Sequence, residues 1–479
     1  MIFNDVTAFQ ASGFAPKVCI VGSGPAGISL ALRLERQNIS SIIIEAGGME
    51  YSPDSQDVYR GKVVGDSYFD LDYARLRFFG GSSGHWSGWC RPLNEADFEP
   101  RKGIENSGWP IRKKDLDPYT KDADSIFEIS AMEKDIPLNE NLNEVRFRFS
   151  SPPVRFGQKY LEHIEKSSRI ALLLDSPVID MVPVNGRISH VKVKSKNKAI
   201  QQIVAPYFCL CTGGIENSRM LLWFNHLNAN GVVPDASTLG KYWMEHPIFG
   251  VGDSVLFSFT KMRIKNGIRF YAPSDNYLRK NDIGNFGVRL AVGEDIVKEL
   301  IKDGLCIAPK LFTDLAKKAD NQLACSAALR LAWEQVPMSA NRIELDTEKD
   351  ANGIPRVKLF WKKQPQDRHT AEIALQLFGS YFAKADKGRV KVSPWLAQGL
   401  DYPDDDERGG PHHMGGTRMA SSSADGVVDR DCKVFGVENL YIGGSSVFPT
   451  GGHANPTYTI VQLALRLGDH IAQKVAKTI

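Results

Sequence analysis

The chain has 479 residues, 42% hydrophobic and 24% charged, which is ample for one large or two ordinary cored domains and too apolar for intrinsic disorder. Its formal net charge of +3, with both signs interspersed, gives no sign of a nucleic-acid stripe or a strongly charged partner. No segment approaches about 18 consecutive apolar residues. Residues 1–17 lack a basic leader, a long apolar run and twin arginines, so the expectation is a cytoplasmic protein with no transmembrane segment. Seven cysteines (Cys19, Cys90, Cys209, Cys211, Cys306, Cys325, Cys432) are odd in number and scattered, and read as reduced core residues. Cys209 and Cys211 have no second ligand pair nearby, so no metal site is expected.

In chain order, the apolar run Val18-Cys19-Ile20-Val21 leads into Gly22-Ser23-Gly24-Pro25-Ala26-Gly27 and then a helical pattern from Ile28 to Arg36. That is strand, tight turn, helix. The first glycine permits the turn, the second lets backbone approach a pyrophosphate, and the third lets helix pack on strand. A second strand, Ser41-Ile42-Ile43-Ile44, delivers Glu45 about 20 residues beyond the glycines, where a carboxylate accepts ribose hydroxyls and repels a 2′-phosphate. FAD or NAD therefore fits better than NADP.

From about 60 to 110 the chain is rich in Gly, Arg and aromatic residues and reads as extended loops. Residues from Ile170 to Ser195 alternate around an Asn185-Gly186 turn, a hairpin signature that includes Ala171-Leu172-Leu173-Leu174. Phe208 to Gly214 is a second strand ending in glycines, followed by a helix carrying Asn217 to Phe224. Strand-like pieces follow at Ile268 to Ala272, Gly284 to Leu290, Asn341 to Asp346 and Arg356 to Trp361, then a strand at Leu440 to Gly443 and a helix from Tyr458 to Lys477. The expected fold class is α/β: a Rossmann-like three-layer dinucleotide domain with a parallel sheet and a β-meander, plus a second α+β domain. The expected division is 1–250 for the dinucleotide domain, with loop excursions over about 55–160, then 251–395 for substrate, and 396–479 returning to the first domain.

Taken together, Gly22 to Gly27 with Glu45, Gly80-Gly81-Ser82-Ser83, Cys211-Thr212-Gly213-Gly214-Ile215-Glu216-Asn217 and the tail from His413 to Asp469 resemble the glucose-methanol-choline (GMC) oxidoreductases. The resemblance covers the dinucleotide domain from end to end. It is weaker in the substrate domain, resting on Glu334-Gln335-Val336-Pro337 and Asn341-Arg342-Ile343. Within the family it is greatest to the branch with pyranose oxidase and related bacterial sugar-oxidising enzymes, on two departures: His85 in the loop Gly81-Ser82-Ser83-Gly84-His85-Trp86-Ser87, and Asn455 in place of a histidine.

The resemblance implies an FAD enzyme that oxidises a CH–OH group of a sugar, glycoside or polyol. It implies His413 as the base, Asn455 beside it on the substrate oxygen, and His85 as a covalent flavin anchor with Ser87 near the flavin. The implied cofactor contacts are Gly22, Gly24, Pro25, Ala26, Gly27, Glu45, Gly81, Ser82, Ser83, His85, Trp86, Ser87, Val178, Thr212, Gly213, Gly444, Asn455, Pro456 and Thr457. Gly444 stands where an aspartate is often found.

Bland readings stand beside these. His413 could be a turn residue, Asn455 a cap before Pro456, and His85 a packing or exposed loop residue. His412 adjoins His413, but the spacing to Gly416-Thr417 favours His413; His453 and His246 read as supporting residues. The run from Asp401 to Glu407 reads as a solvated loop before a calcium site. Of Trp86, Trp89, Trp243, Trp333 and Trp361, only Trp86 or Trp89 is expected near the site. Competing functions are oxidation of an apolar alcohol or sterol, a nicotinamide dehydrogenase, and a non-catalytic FAD-fold binding protein. The electron acceptor (oxygen, a quinone or a carrier protein) and the oligomeric state are left open.

Overall fold

The computed structural model describes residues 1–195, 198–256, 268–292, 325–403 and 410–477. Cys306 and most of the acidic run from Asp401 to Glu407 lie outside the described residues.

A six-stranded parallel sheet runs in the order Ile2–Phe3, Ile170–Leu173, Ser41–Ile44, Val18–Val21, Tyr207–Leu210, Leu440–Ile442. Its central strands are buried at every position, the unbroken apolar pattern of strands covered on both faces. This corrects one expectation. Ile170–Leu173 does not join the hairpin but sits between the first and third strands, because four consecutive buried side chains suit a two-sided core and not an alternating surface ribbon. The hairpin is made by Val178–Val184 and Arg187–Lys194, with Asn185 (φ 51°) and Gly186 (φ 75°) both left-handed as its tight turn requires. Ile200–Val204 completes this three-stranded meander.

Helix Pro25–Arg36 starts with proline in its first turn, where the missing N–H costs no helical hydrogen bond. The last long helix, Pro456–Ala476, lies on it. A Cβ at Gly468 would come within 2.7 Å of Arg33 Cγ, so the two helices meet at van der Waals distance. Arg33 Nε donates to Asp469 Oδ1 at 2.6 Å and its Nη1 to Asp122 Oδ2 at 2.9 Å, clamping the tail to the first βαβ unit.

The second sheet is antiparallel, ordered Gly388–Val392, Ile248–Leu256, Cys325–Trp333, Phe286–Val292, Ile268–Pro273, Leu142–Val145, Ile136–Pro137. Helix Pro365–Lys384 covers one face, pressing Ala371, Ala374, Leu375, Phe378 and Phe382 against Val288, Leu290, Leu329 and Leu331. The alternate positions Gly287, Arg289, Arg330 and Ala332 face the other way, into a cavity. A third sheet pairs Gly61–Gly65 in parallel with Pro355–Trp361, and Pro355–Trp361 with Arg342–Lys349. Trp243, Trp333 and Trp361 are fully buried packing residues.

Two buried ion networks fasten these layers. Arg219 reaches Glu216 at 2.6 Å and Asp350 at 2.5 Å, and Glu216 also holds Arg75 at 3.0 Å. Arg101 pairs with Glu334 at 2.5 Å, and Glu334 further accepts the N–H of Gly452 at 3.0 Å and of Asn285 at 2.9 Å. Removing one partner of such a pair strands a charge in a dry interior, at a cost of about 3–5 kcal/mol. Glu334→Ala is therefore expected to lower the urea midpoint strongly, whereas Lys166→Ala, which breaks an exposed pair with Glu162, leaves it in place. Equal shifts in denaturation curves would refute this ranking.

Candidate active site

The glycine turn shows three different uses of glycine. Gly22 sits at φ 104°, and a Cβ there would lie 2.5 Å from the Cys211 carbonyl oxygen; a Cβ at Gly27 would lie 2.0 Å from the Gly22 carbonyl oxygen. Both positions are closed by backbone. Gly24 has nothing within 4 Å of its Cβ position, and it precedes the first turn of Pro25–Arg36 without any side-chain cap. The unpaired N–H groups of that turn are thus left for an anion to approach. Of the cofactor contacts expected from sequence, all but Gly27 line one cavity of about 1040 Å³; Gly27 packs helix on strand instead.

Glu45 leaves its strand at the cavity wall. Its Oε2 accepts Ser23 N at 3.1 Å and Ser23 Oγ at 2.6 Å, and its Oε1 accepts Gly47 N at 2.7 Å. A carboxylate has about four acceptor sites, so one stays available for a ribose hydroxyl. The Gly80–Gly81 turn crosses this cradle: Gly80 N donates to Ser23 Oγ at 3.3 Å, and a Cβ at Gly81 would lie 3.3 Å from Gly24 Cα. Opposite, Asn217 ties Thr212 N (2.8 Å) to Ser446 Oγ (2.8 Å), joining the second strand-turn-helix to the C-terminal tail. An open helix N-terminus, an acidic strand end and a long cavity fit FAD.

The loop holding His85 is braced from behind. Arg155 Nη1 donates to the carbonyls of Ser83 at 2.8 Å and Trp86 at 2.7 Å, and Trp86 Nε1 donates to Val154 O at 2.8 Å. Trp86 spends its polar atom in this packing and lies tilted against Phe127 (ring centroids 5.4 Å), while Trp86, His85 and Ser87 all line the cavity. Partial burial, then the nearby Arg155, lowers the His85 pKa, which keeps a free imidazole lone pair at neutral pH.

A short antiparallel bridge between Met244 and Met414, with N–H···O contacts of 2.8 and 3.0 Å, sets the geometry of the histidines. Two residues along each strand, His246 stands opposite His412, and their Nδ1 atoms are 3.0 Å apart. On the far side of the same ring, His412 Nε2 is 3.0 Å from Asn455 Nδ2. Glu245 Oε1 accepts the backbone N–H of both His246 (2.8 Å) and His412 (2.6 Å), and its other oxygen accepts the Tyr68 hydroxyl.

The expected neighbour of Asn455 was His413, and here the structure differs. Extended backbone sends adjacent side chains to opposite faces, so His413 turns away from Asn455 to lie against Trp243 (ring centroids 5.8 Å) and Tyr68 (6.3 Å). Its carbonyl accepts Ser445 Oγ at 2.5 Å, and a Cβ at Gly214 would overlap that carbonyl at 2.3 Å. His413 touches the cavity but makes no hydrogen bond through its buried Nε2. Burial is the main cause of lowered pKa at all four neighbouring histidines: His246 falls to about 4, His413 to about 3, and His412 and His453 well below the usual value. The cluster is neutral at physiological pH.

Several residues of the cavity wall were not singled out from sequence. Arg75, Glu216, Arg219 and Asp350 form a buried charged frame on one stretch of it; Phe147, Phe270, Arg289 and Arg330 form the part near His453. Arg75 and Glu216 lay inside motifs already quoted, and their pairing was a signal missed. Arg289 was legible only as the polar member of an alternating strand. Among the described residues there is no cluster of three or more potential metal ligands, and the described free cysteines are buried. No helix among them is long and apolar enough to cross a membrane.

Residues 337–464 match the GMC oxidoreductase family profile. The 2-methyl-1,2-propanediol dehydrogenase of Mycolicibacterium austroafricanum is 23% identical, aligned over 95% of this chain and 95% of its own length. A C-glycoside 3-oxidase of Microbacterium trichothecenolyticum is 25% identical over 83% of this chain and 75% of its own. The solved structure of pyridoxine 4-oxidase from Mesorbium loti superposes with a TM-score of 0.60 at 13% identity, covering 95% of this chain and 99% of that one, a likeness of fold. Cradle, tail and relatives converge: residues 337–464 carry the GMC oxidoreductase C-terminal domain, and along its length the chain is similar to FAD-dependent alcohol and sugar oxidoreductases of that kind.

Proposed function

We propose that this enzyme oxidises a CH–OH group of a sugar, glycoside or polyol to a carbonyl, with His412 as the base and Asn455 as its partner on the substrate oxygen. The observation that carries this reading is the 3.0 Å approach of His412 Nε2 and Asn455 Nδ2 on the cavity wall. At rest the Asn455 amide N–H donates to His412 Nε2; a substrate hydroxyl that displaces this contact gives its proton to the imidazole, and the released amide N–H stabilises the developing alkoxide. Bound FAD would supply the acceptor for the two electrons that leave the carbinol carbon as hydride. Gly22, Gly24, Glu45, Ser82, Thr212 and Gly213 would hold it, and His85 is proposed as its covalent anchor. In the tautomer this reading assigns, His412 Nδ1–H donates to His246 Nδ1, so that Nε2 carries the lone pair that accepts from Asn455 at rest and from substrate in the reaction. His413 is assigned a packing role, contrary to the spacing argument.

His412→Ala is expected to lower kcat by about 10²–10⁴-fold while keeping the flavin spectrum, and His413→Ala to cost far less. The reverse order in steady-state kinetics would return the base to His413. Acid precipitation should carry yellow colour into the pellet of the wild type but not of His85→Ala; colour released from both sinks the covalent anchor alone.

The pH dependence has a definite sign. His412 is already unprotonated at pH 6.5, so kcat/KM should hold its plateau as pH falls through 6.5 and decline only below it. In the unfolded chain these histidines take up protons below pH 6.5 while the folded cluster does not, so stability falls as pH drops from 6.5 toward about 4, where His246 titrates. A kinetic limb centred on 6.5 would contradict the assignment.

A further inference from the structure

The antiparallel sheet shows the cavity two rows of side chains. Ile248, Ala332 and Gly287 are in register in one row; Arg330, Arg289 and Phe270 are in register in the next. A Cβ at Gly287 would lie 3.1 Å from His453 Nδ1, so this strand abuts the histidine wall. Arg289, two residues on and facing the same way, therefore lines the same cavity one row beyond the His453 contact. Its guanidinium lies over the Trp89 ring at 5.4 Å, and Trp89 is itself held edge-on by Phe270 at 5.2 Å and Phe147 at 5.8 Å. Arg289 Nε is buried and makes no hydrogen bond among the described residues.

Nothing acidic on the described cavity wall answers this charge. Glu45 is engaged by Ser23 and Gly47, Glu216 by Arg75 and Arg219, and Asp350 by Arg219. Arg330 stands directly across the ladder, and like charges so placed repel. A fork of donors fixed over an aromatic floor in the same cavity as the histidines is suited to a planar or tetrahedral oxyanion. We infer that Arg289 binds an anionic group of the substrate, so that the alcohol oxidised is a polyhydroxy carboxylate or a polyol phosphate ester and not a neutral sugar. The inference rests on CH–OH oxidation at His412.

The test uses FAD-loaded enzyme and three open-chain polyols that differ in their terminal group: sorbitol, gluconate and sorbitol 6-phosphate. Titration calorimetry should show at least one anion binding about tenfold or more tighter than sorbitol, with the preference shrinking at high salt. Arg289→Gln should abolish the preference without changing sorbitol binding, and Arg289→Lys should keep part of it. Preference for gluconate or for the phosphate tells which oxyanion is read. No preference in the wild type overturns the inference even if the variants do not fold. Anaerobic flavin bleaching reports the underlying reading separately: bleaching by sorbitol as readily as by the anions keeps the oxidation and removes the anion site. Anion preference with no bleaching by any polyol or hydroxy acid keeps the site and removes the oxidation.

Discussion

Two hydrogen bonds between Met244 and Met414 decide which histidine meets Asn455. Because the two strands run antiparallel there, the positions two steps away face one another, and His246 and His412 become a pair. Asn455, arriving from the start of the last helix, closes on the opposite nitrogen. A one-residue slip would place His413 against Asn455 and turn His412 toward Trp243. Glu245 guards against the slip by accepting the N–H of both His246 and His412.

The buried charges frame this arrangement. Arg75, Glu216, Arg219 and Asp350 lock the glycine-rich loop, the second strand-turn-helix and the third sheet together. Arg101 and Glu334 hold Gly452, which directly precedes His453, while Asp97 beside them is pushed up to about 7 by burial and by the charge of Glu334. The cavity is thus braced where its own charges are paired, and among the described residues no acid answers Arg289. A neutral base cluster follows from the same dryness: burial that disfavours imidazolium leaves lone pairs ready.

Much of this was legible in the residues. Gly22 to Gly27 with Glu45 announced the cradle because each glycine is dictated by local backbone, and local backbone is what a short motif records. The parallel strands declared themselves by unbroken apolar runs. Which histidine meets Asn455 was not legible, since adjacent histidines differ only in the face to which they point, and that is set by a partner strand far away in sequence. Ile170–Leu173 was misplaced for a related reason: its alternation with neighbours mimicked a hairpin, whereas burial on both sides is a tertiary fact. Arg289 escaped notice because one arginine in a strand says nothing until its Trp89 floor and its Arg330 neighbour are assembled.

The return of the tail onto the first βαβ unit has a consequence for how the protein is made. Among the described residues the strand Tyr207–Leu210 receives its outer partner from Leu440–Ile442, and helix Pro25–Arg36, which also meets Phe156–Lys166, gets its largest helix contact from Pro456–Ala476. While the ribosome is still delivering the middle of the chain, the nascent dinucleotide unit presents an open, wholly apolar sheet edge and a helix face only partly covered. Cofactor capture must therefore wait until synthesis is nearly finished, and the interval before then is when a holding chaperone has most to protect.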